Sequence, residues 1–196
     1  MDSKSCGPSG RSPVAGLDLS LRGAGVVVIL PDRSLINKTF GYGLKGGTER
    51  DRVERCLWIT SEVMKILRKH EVKALGVEDY AFSQSGRLTM LAELCGAIKQ
   101  QTLVSLKTVC VPLASTSVRS FLIPNAKQKD MREKKSIQEY LKSQGFRCET
   151  ADEYDALACA LVCDVWLNDR GFAVTDQQLR MLDRMDSTVR RTHGTR

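Results

Sequence analysis

Apolar residues in this chain come first in short unbroken runs and then at helical spacing, and that change of period sets the expected order of elements. Val14 to Ser20 predicts a strand, and Ala24 to Leu30, carrying Val26-Val27-Val28-Ile29, predicts a second one buried on both faces. Pro31-Asp32-Arg33-Ser34 reads as a turn and Leu35 to Tyr42 as a third strand, which makes the opening an antiparallel meander. Thr48 followed three residues later by Asp51, with Val53, Leu57, Met64 and Leu67 at helical spacing, predicts a helix from Glu49 to Lys69. Val72 to Tyr80 reads as an inner strand that ends in carboxylates. A helix over Arg87 to Leu106, a strand over Thr108 to Leu113, and helices over Arg132 to Ser143 and Ala151 to Leu167 follow. This order predicts an α/β domain: a central mixed five-stranded sheet, three strands in the meander plus two parallel ones, flanked by helices.

The ends of the chain have a different character. Residues 1–13 are rich in Ser, Gly and Pro without apolar periodicity and are expected to form a disordered arm, with the folded domain spanning 14–172. Residues 173–196 form a basic tail, for which a docked helix and a loose charged segment both remain open.

Composition narrows the class. The 196 residues suffice for one domain with a buried core, and 42% apolar with 27% charged residues is the balance of a soluble globular protein. No apolar run approaches the ~18 residues of a membrane span, and the first residues lack an apolar signal core, so the expected place is the cytoplasm. The seven cysteines include no C-x-x-C pair and are joined by two histidines only, which argues against a zinc site and for small core residues in a reducing compartment. The net charge of +7 makes a polyanionic partner plausible.

Candidate chemistry lies in the acidic residues. Asp152 and Asp155 stand three apart near the start of an apolar helix, about 5–6 Å between Cβ atoms, where like charges repel. The helix N-terminus offsets part of that repulsion, and a divalent cation would offset more. Asp18 sits inside an apolar strand, where an unpaired charge costs several kcal/mol, so it needs either a buried basic partner or a metal. Glu78 has the same setting at the end of an inner strand. Open α/β sheets gather functional groups at the carboxyl ends of their strands, which would bring Asp18 and Glu78 together, with Asp152 and Asp155 supplied by a helix packed on that face. Four such carboxylates need a counter-charge, and an all-oxygen set suits magnesium or manganese. Two such ions about 3.5–4 Å apart would support in-line hydrolysis of a phosphodiester.

Taken together, Gly16-Leu17-Asp18-Leu19-Ser20, Gly76-Val77-Glu78-Asp79-Tyr80, the small-residue stretch Leu94-Cys95-Gly96-Ala97, Lys135-Ser136 and Asp152-Glu153-Tyr154-Asp155-Ala156-Leu157-Ala158 resemble the RuvC-like Holliday junction resolvases of bacteria and phages, with the ribonuclease H-like fold. The resemblance covers Val14 to Asp164. It implies a magnesium-dependent endonuclease that resolves four-way DNA junctions as a homodimer, with two ions per site. The metal-binding carboxylates carry over to Asp18, Glu78, Asp152 and Asp155, and the lysine that assists at the phosphate to Lys135. Bacterial relatives carry an aromatic just after the second acid that works at the junction centre; here Tyr80 and Phe82 straddle that place. The arm and the basic tail have no counterpart in the family pattern. Small-residue and apolar content marks the helix over Arg87 to Leu106 as the expected dimer contact.

A basic segment points to phosphate independently. Between Ala114 and Cys148, eight Lys or Arg face three acids, a net +5; Arg119, Lys127, Lys129, Arg132 and Lys134 are the candidate DNA contacts, and a solvated helix face is the plainer alternative. Two other functions are weighed: a branched-nucleic-acid-binding module of the same fold that does not cut, against which four intact acids argue, and a sugar or acetate kinase relative, against which the absence of a second full domain and of a Gly-rich phosphate loop argues.

Overall fold

Strand and helix periods fold here into one sheet with a layer of helices on each face. The computed structural model describes residues 10–20, 23–43, 47–79, 86–123, 134–173 and 175–193. Strands β1 (Val14–Ser20), β2 (Gly23–Ile29), β3 (Leu35–Gly41), β4 (Ala74–Asp79) and β5 (Val109–Ala114) form a five-stranded sheet of order β3-β2-β1-β4-β5. The meander pairs are antiparallel, whereas β1–β4 and β4–β5 are parallel. The described helices are α1 (Glu49–Lys69), α2 (Gly86–Gln101), α3 (Ser115–Leu122), α4 (Lys134–Ser143), α5 (Ala151–Asn168) and α6 (Asp176–His193).

Alternation along the inner strands sorts their side chains between two cores. Ala15, Leu17 and Leu19 of β1, with Leu75 and Val77 of β4, pack toward α1 and α2 against Ile59, Val63, Leu67 and Ile98. Val14, Ala74, Val27 and Ile29 face the other way, toward α5 and its neighbours. Between those apolar positions, on the α5 face, stand glycines: Gly16, Gly25 and Gly76. A Cβ on Gly25 would lie 2.4 Å from the Asp152 carbonyl oxygen, one on Gly16 only 1.8 Å from the Ala156 carbonyl oxygen, and one on Gly76 2.9 Å from the Cys159 carbonyl oxygen. Helix α5 therefore crosses β2, β1 and β4 in turn, seated on bare backbone, and its small residues Ala156, Ala160 and Cys163 complete the close approach.

Local chemistry explains the ends of the two long helices. Thr48 and Asp51 form the expected reciprocal capping box at the start of α1. At α5 the cap is Thr150, whose hydroxyl accepts from the Glu153 amide at 3.2 Å.

Two elements differ from expectation, and the alternative left open at the tail is decided. Helix α3 was not anticipated: Ser115-Thr116-Ser117 are poor helix formers, and eight residues give the period little room to show. The helix expected to run to Leu106 becomes a π-helical turn over Thr102–Leu106, closed by Lys107 at φ 53°. The tail is a docked helix, with Leu182 and Met185 of α6 in the core of the α5 face. Most of the predicted arm lies outside the described residues; its end is tied down, since Arg11 pairs with Asp164 and the Ser12 amide donates to Asn168 Oδ1 at 2.8 Å. No described helix is long and apolar enough to cross a membrane.

Candidate metal centre

The parallel register of β1 and β4 ends at Leu17↔Val77, so the next residues, Asp18 and Glu78, stand side by side at the carboxyl ends of adjacent strands. Both belong to the face of Gly16 and Gly76, over which α5 passes. Asp155, just before Ala156, reaches the same point from the helix. Carboxylate oxygens of Asp18, Glu78 and Asp155 all lie within 4.8 Å of one another, with Asp18 and Asp155 buried and Glu78 half-buried.

Residues of neighbouring elements surround the three acids, and Glu78 is the one whose two oxygens are treated differently. Ser115, the first residue of α3, donates its hydroxyl to Glu78 Oε1. Glu78 Oε2 is buried and has no hydrogen-bond partner among the described residues. A buried carboxylate oxygen left unbonded is costly, and a cation is one way to satisfy it. Three hard oxygen donors at this spacing fit magnesium, manganese or calcium rather than zinc. Beneath the cluster, burial first and then the negative charges of Glu78, Asp18 and Asp155 hold the Cys159 thiol protonated well above its usual range.

Arg119, on α3, is buried and lines the same narrow recess as Glu78, Asp155, Ile137 and Cys159. Arg119 thus shares the recess with two of the three acids. Lys135 is exposed near the start of α4, the helix that sends Ile137 into the recess.

Asp152 stands apart from the convergent group. It is half-buried one turn before Asp155, with its backbone over Gly25 of β2, whereas Asp155 lies nearer β1 and β4. Glu153 between them faces away: its carboxylate accepts from Thr39 Oγ1 of β3 at 3.0 Å and from the Glu149 amide at 2.8 Å, pinning the start of α5 to the sheet. Tyr154 accepts from the Cys148 amide through its hydroxyl, with Lys142 over its ring at 5.2 Å. Among the other candidates, Lys134 opens α4, while Tyr80, Phe82, Lys127, Lys129 and Arg132 lie outside the described residues. Ser115 is a contributor that the sequence did not reveal, and the available cue was its place just after a predicted strand.

No family model matches the chain, and no curated protein matches it in sequence. Solved structures do match: Thermus thermophilus RuvC in complex with a Holliday junction substrate aligns over 79% of this chain and 94% of that one, with a TM-score of 0.64 at 17% identity. The chain has a RuvC-like fold. A second Thermus thermophilus RuvC structure aligns over 82% of this chain and 97% of that one, with a TM-score of 0.60 at 18% identity. The yeast mitochondrial Holliday junction resolvase covers 93% of this chain and 87% of its own, with a TM-score of 0.52 at 14% identity. The mixed sheet and flanking helices are therefore those expected for the ribonuclease H-like class. Within this RuvC-like fold the acidic group occupies the carboxyl ends of β1 and β4, under the first turns of α5.

Proposed function

We propose that the protein is a metal-dependent endonuclease that resolves four-way DNA junctions. The observation that carries this reading is the convergence of Asp18, Glu78 and Asp155 around an unbonded buried Glu78 oxygen, on a fold whose solved neighbours are Holliday junction resolvases. Keeping three acids together without a ligand is unfavourable, which supports cutting over mere binding.

Asp18, Glu78 and Asp155 hold one divalent ion, magnesium or manganese. Asp152 serves a second ion from one helical turn away. When bound, such ions lower the pKa of a water and offset charge on the attacking and leaving oxygens of a phosphodiester. Ser115 fixes Glu78 by donating to Oε1, leaving Oε2 free as a ligand. Arg119 moderates the negative field of the recess, and exposed Lys135 offsets the charge of the phosphate as it arrives. The remaining basic residues of the segment, Lys127, Lys129, Arg132 and Lys134, grip backbone phosphates, and Tyr80 or Phe82 works at the junction centre. Paired nicks need two sites, which a homodimer supplies; α2 and its π-helical end expose Leu103 and Val104 for that contact.

A synthetic four-way junction incubated with the protein tests this. Symmetric nicks that need magnesium or manganese and vanish in Asp18→Asn are expected. Tight binding without cleavage in any divalent metal would leave a non-cutting junction-binding module in its place.

A further inference from the structure

Helix α3 has two working faces. Ser115, Val118 and Arg119 look into the carboxylate recess, while Ser117, Ser120 and Phe121, two positions on, look into a separate groove of about 350 Å³. The far wall of that groove is α6, which presents Gln177, Arg180, Arg184 and Thr188 at helical spacing. Consecutive residues of β4 divide between the two spaces: Glu78 lines the recess and Asp79 the groove.

The charges of α6 are sorted by face. Asp183 and Asp186 are both engaged by Arg170, at 3.5 and 2.9 Å, and Asp186 also accepts from the Trp166 indole at 2.8 Å. Arg180 and Arg184 are exposed and make no ion pair among the described residues. Gln177 donates to Ser120 Oγ and Gln178 Nε2 donates to the Phe121 carbonyl at 2.8 Å, so the two walls are bonded together at one end of the groove. Arg180 and Arg184, with no ion pair among the described residues, line the groove together with Ser117 and the single carboxylate of Asp79, a set whose charge suits a phosphate diester.

We propose that this groove, built by α6 and the outer face of α3, holds backbone phosphate of the nucleic-acid strand whose scissile bond enters the recess. The proposal rests on the nuclease reading above. Helix α3 lies between the two spaces, so they stand on the order of one helix diameter, ~10 Å, apart, a span that a short run of nucleotides of one strand can bridge. The tail helix is then a second clamp on the cut strand, and recognition there is by phosphate rather than by base.

The test measures binding of a four-way junction between 50 and 200 mM salt, in an Asp18→Asn background that leaves the DNA intact. Arg180→Gln/Arg184→Gln is expected to weaken binding at least tenfold and to flatten the dependence of log affinity on log salt by about one to two, at ~0.9 per phosphate contact. Asp79→Asn is expected to tighten it several-fold. Arg68→Gln/Lys69→Gln, which removes the same charge from the last turn of α1, is the control and changes affinity less than twofold. An unchanged affinity and slope for the Arg180/Arg184 variant, or an equal loss in the control, overturns the groove. Binding by the parent with no nicking by wild type removes the nuclease reading and leaves the groove standing; a parent that does not bind the junction defeats both.

Discussion

Gly16 lies against the Ala156 carbonyl, so close that a Cβ on it would come within 1.8 Å of that oxygen and 2.4 Å of the Ala160 nitrogen. These are backbone atoms in the middle of a buried helix, and they have no rotamer with which to yield. The position of Asp155 over Asp18 and Glu78 thus depends on a hydrogen atom two residues before Asp18. Gly16→Ala is expected to push α5 outward at a cost at or above the upper end of the 1–3 kcal/mol usual for overpacking. Urea unfolding should show the loss, and any remaining folded protein should respond weakly to manganese. A variant as stable as wild type would mean that α5 is not seated on this strand.

The unbonded Glu78 oxygen makes a different prediction, one in which metal and stability separate. Glu78→Gln removes a negative charge from the acid cluster while Ser115 can still donate to the remaining carbonyl oxygen. Without metal the variant should be as stable as wild type or more so, because the repulsion among carboxylates is relieved. With metal the order reverses: wild type gains about 2.7 kcal/mol at a hundredfold excess over Kd, whereas the variant gains little. Melting curves in chelator and in manganese check both halves, and a similar metal response in both proteins would remove Glu78 from the ligand set.

Why some of this was legible beforehand and some was not follows from where each signal sits. Strand β1, helix α1 and the start of α5 have long, strongly patterned sequences with a cap or a glycine to mark them, and their observed bounds are those expected. Asp18 and Glu78 were visible because charge is out of place in an inner strand. Helix α3 was hidden because its serines and threonine carry no helical signature, and Ser115 and the inward turn of Arg119 were hidden with it. Helical spacing puts Asp152 and Asp155 on one face but says nothing of how the helix lies on the sheet. The oblique path over Gly25, Gly16 and Gly76 is a property of three distant glycines acting together, and it is that path which leaves Asp152 above β2.

Alkaline pH should destabilise the fold through its buried and half-buried thiols. Burial pushes Cys110 up to about 12 and Cys148 up to about 11, and holds Cys163 and Cys159 higher still. Below about pH 8.5, the ordinary cysteine value, these thiols are protonated in folded and unfolded chains alike and stability does not depend on them. As pH rises beyond that, the unfolded chain ionises first and binds fewer protons than the folded one, so stability falls until the folded values are passed. For a fully buried thiol such as Cys163 the slope is about 1.4 kcal/mol per pH unit. Urea midpoints at pH 8, 9 and 10 should fall less steeply in Cys163→Ala than in wild type; parallel lines would show that this thiol does not contribute.

Asp155 and Asp152 should prove unequal although the sequence presents them as a pair. Asp155 shares its oxygens' neighbourhood with Asp18 and Glu78, whereas Asp152 is outside that group and its backbone is committed to Gly25. Loss of Asp155 removes one of three ligands to a single ion, so Asp155→Asn is expected to abolish tight manganese binding and nicking together. Loss of Asp152 leaves those three in place, so Asp152→Asn should retain one tight ion while losing the second, and nick far more slowly than wild type. Manganese titration followed by electron paramagnetic resonance reads the stoichiometry directly, and junction cleavage under single-turnover conditions reads the rate. Equal loss of the first ion in both variants would put all four carboxylates around one centre, and an Asp152→Asn variant with full stoichiometry and full rate would reduce that residue to a first-turn acid favoured by the helix dipole.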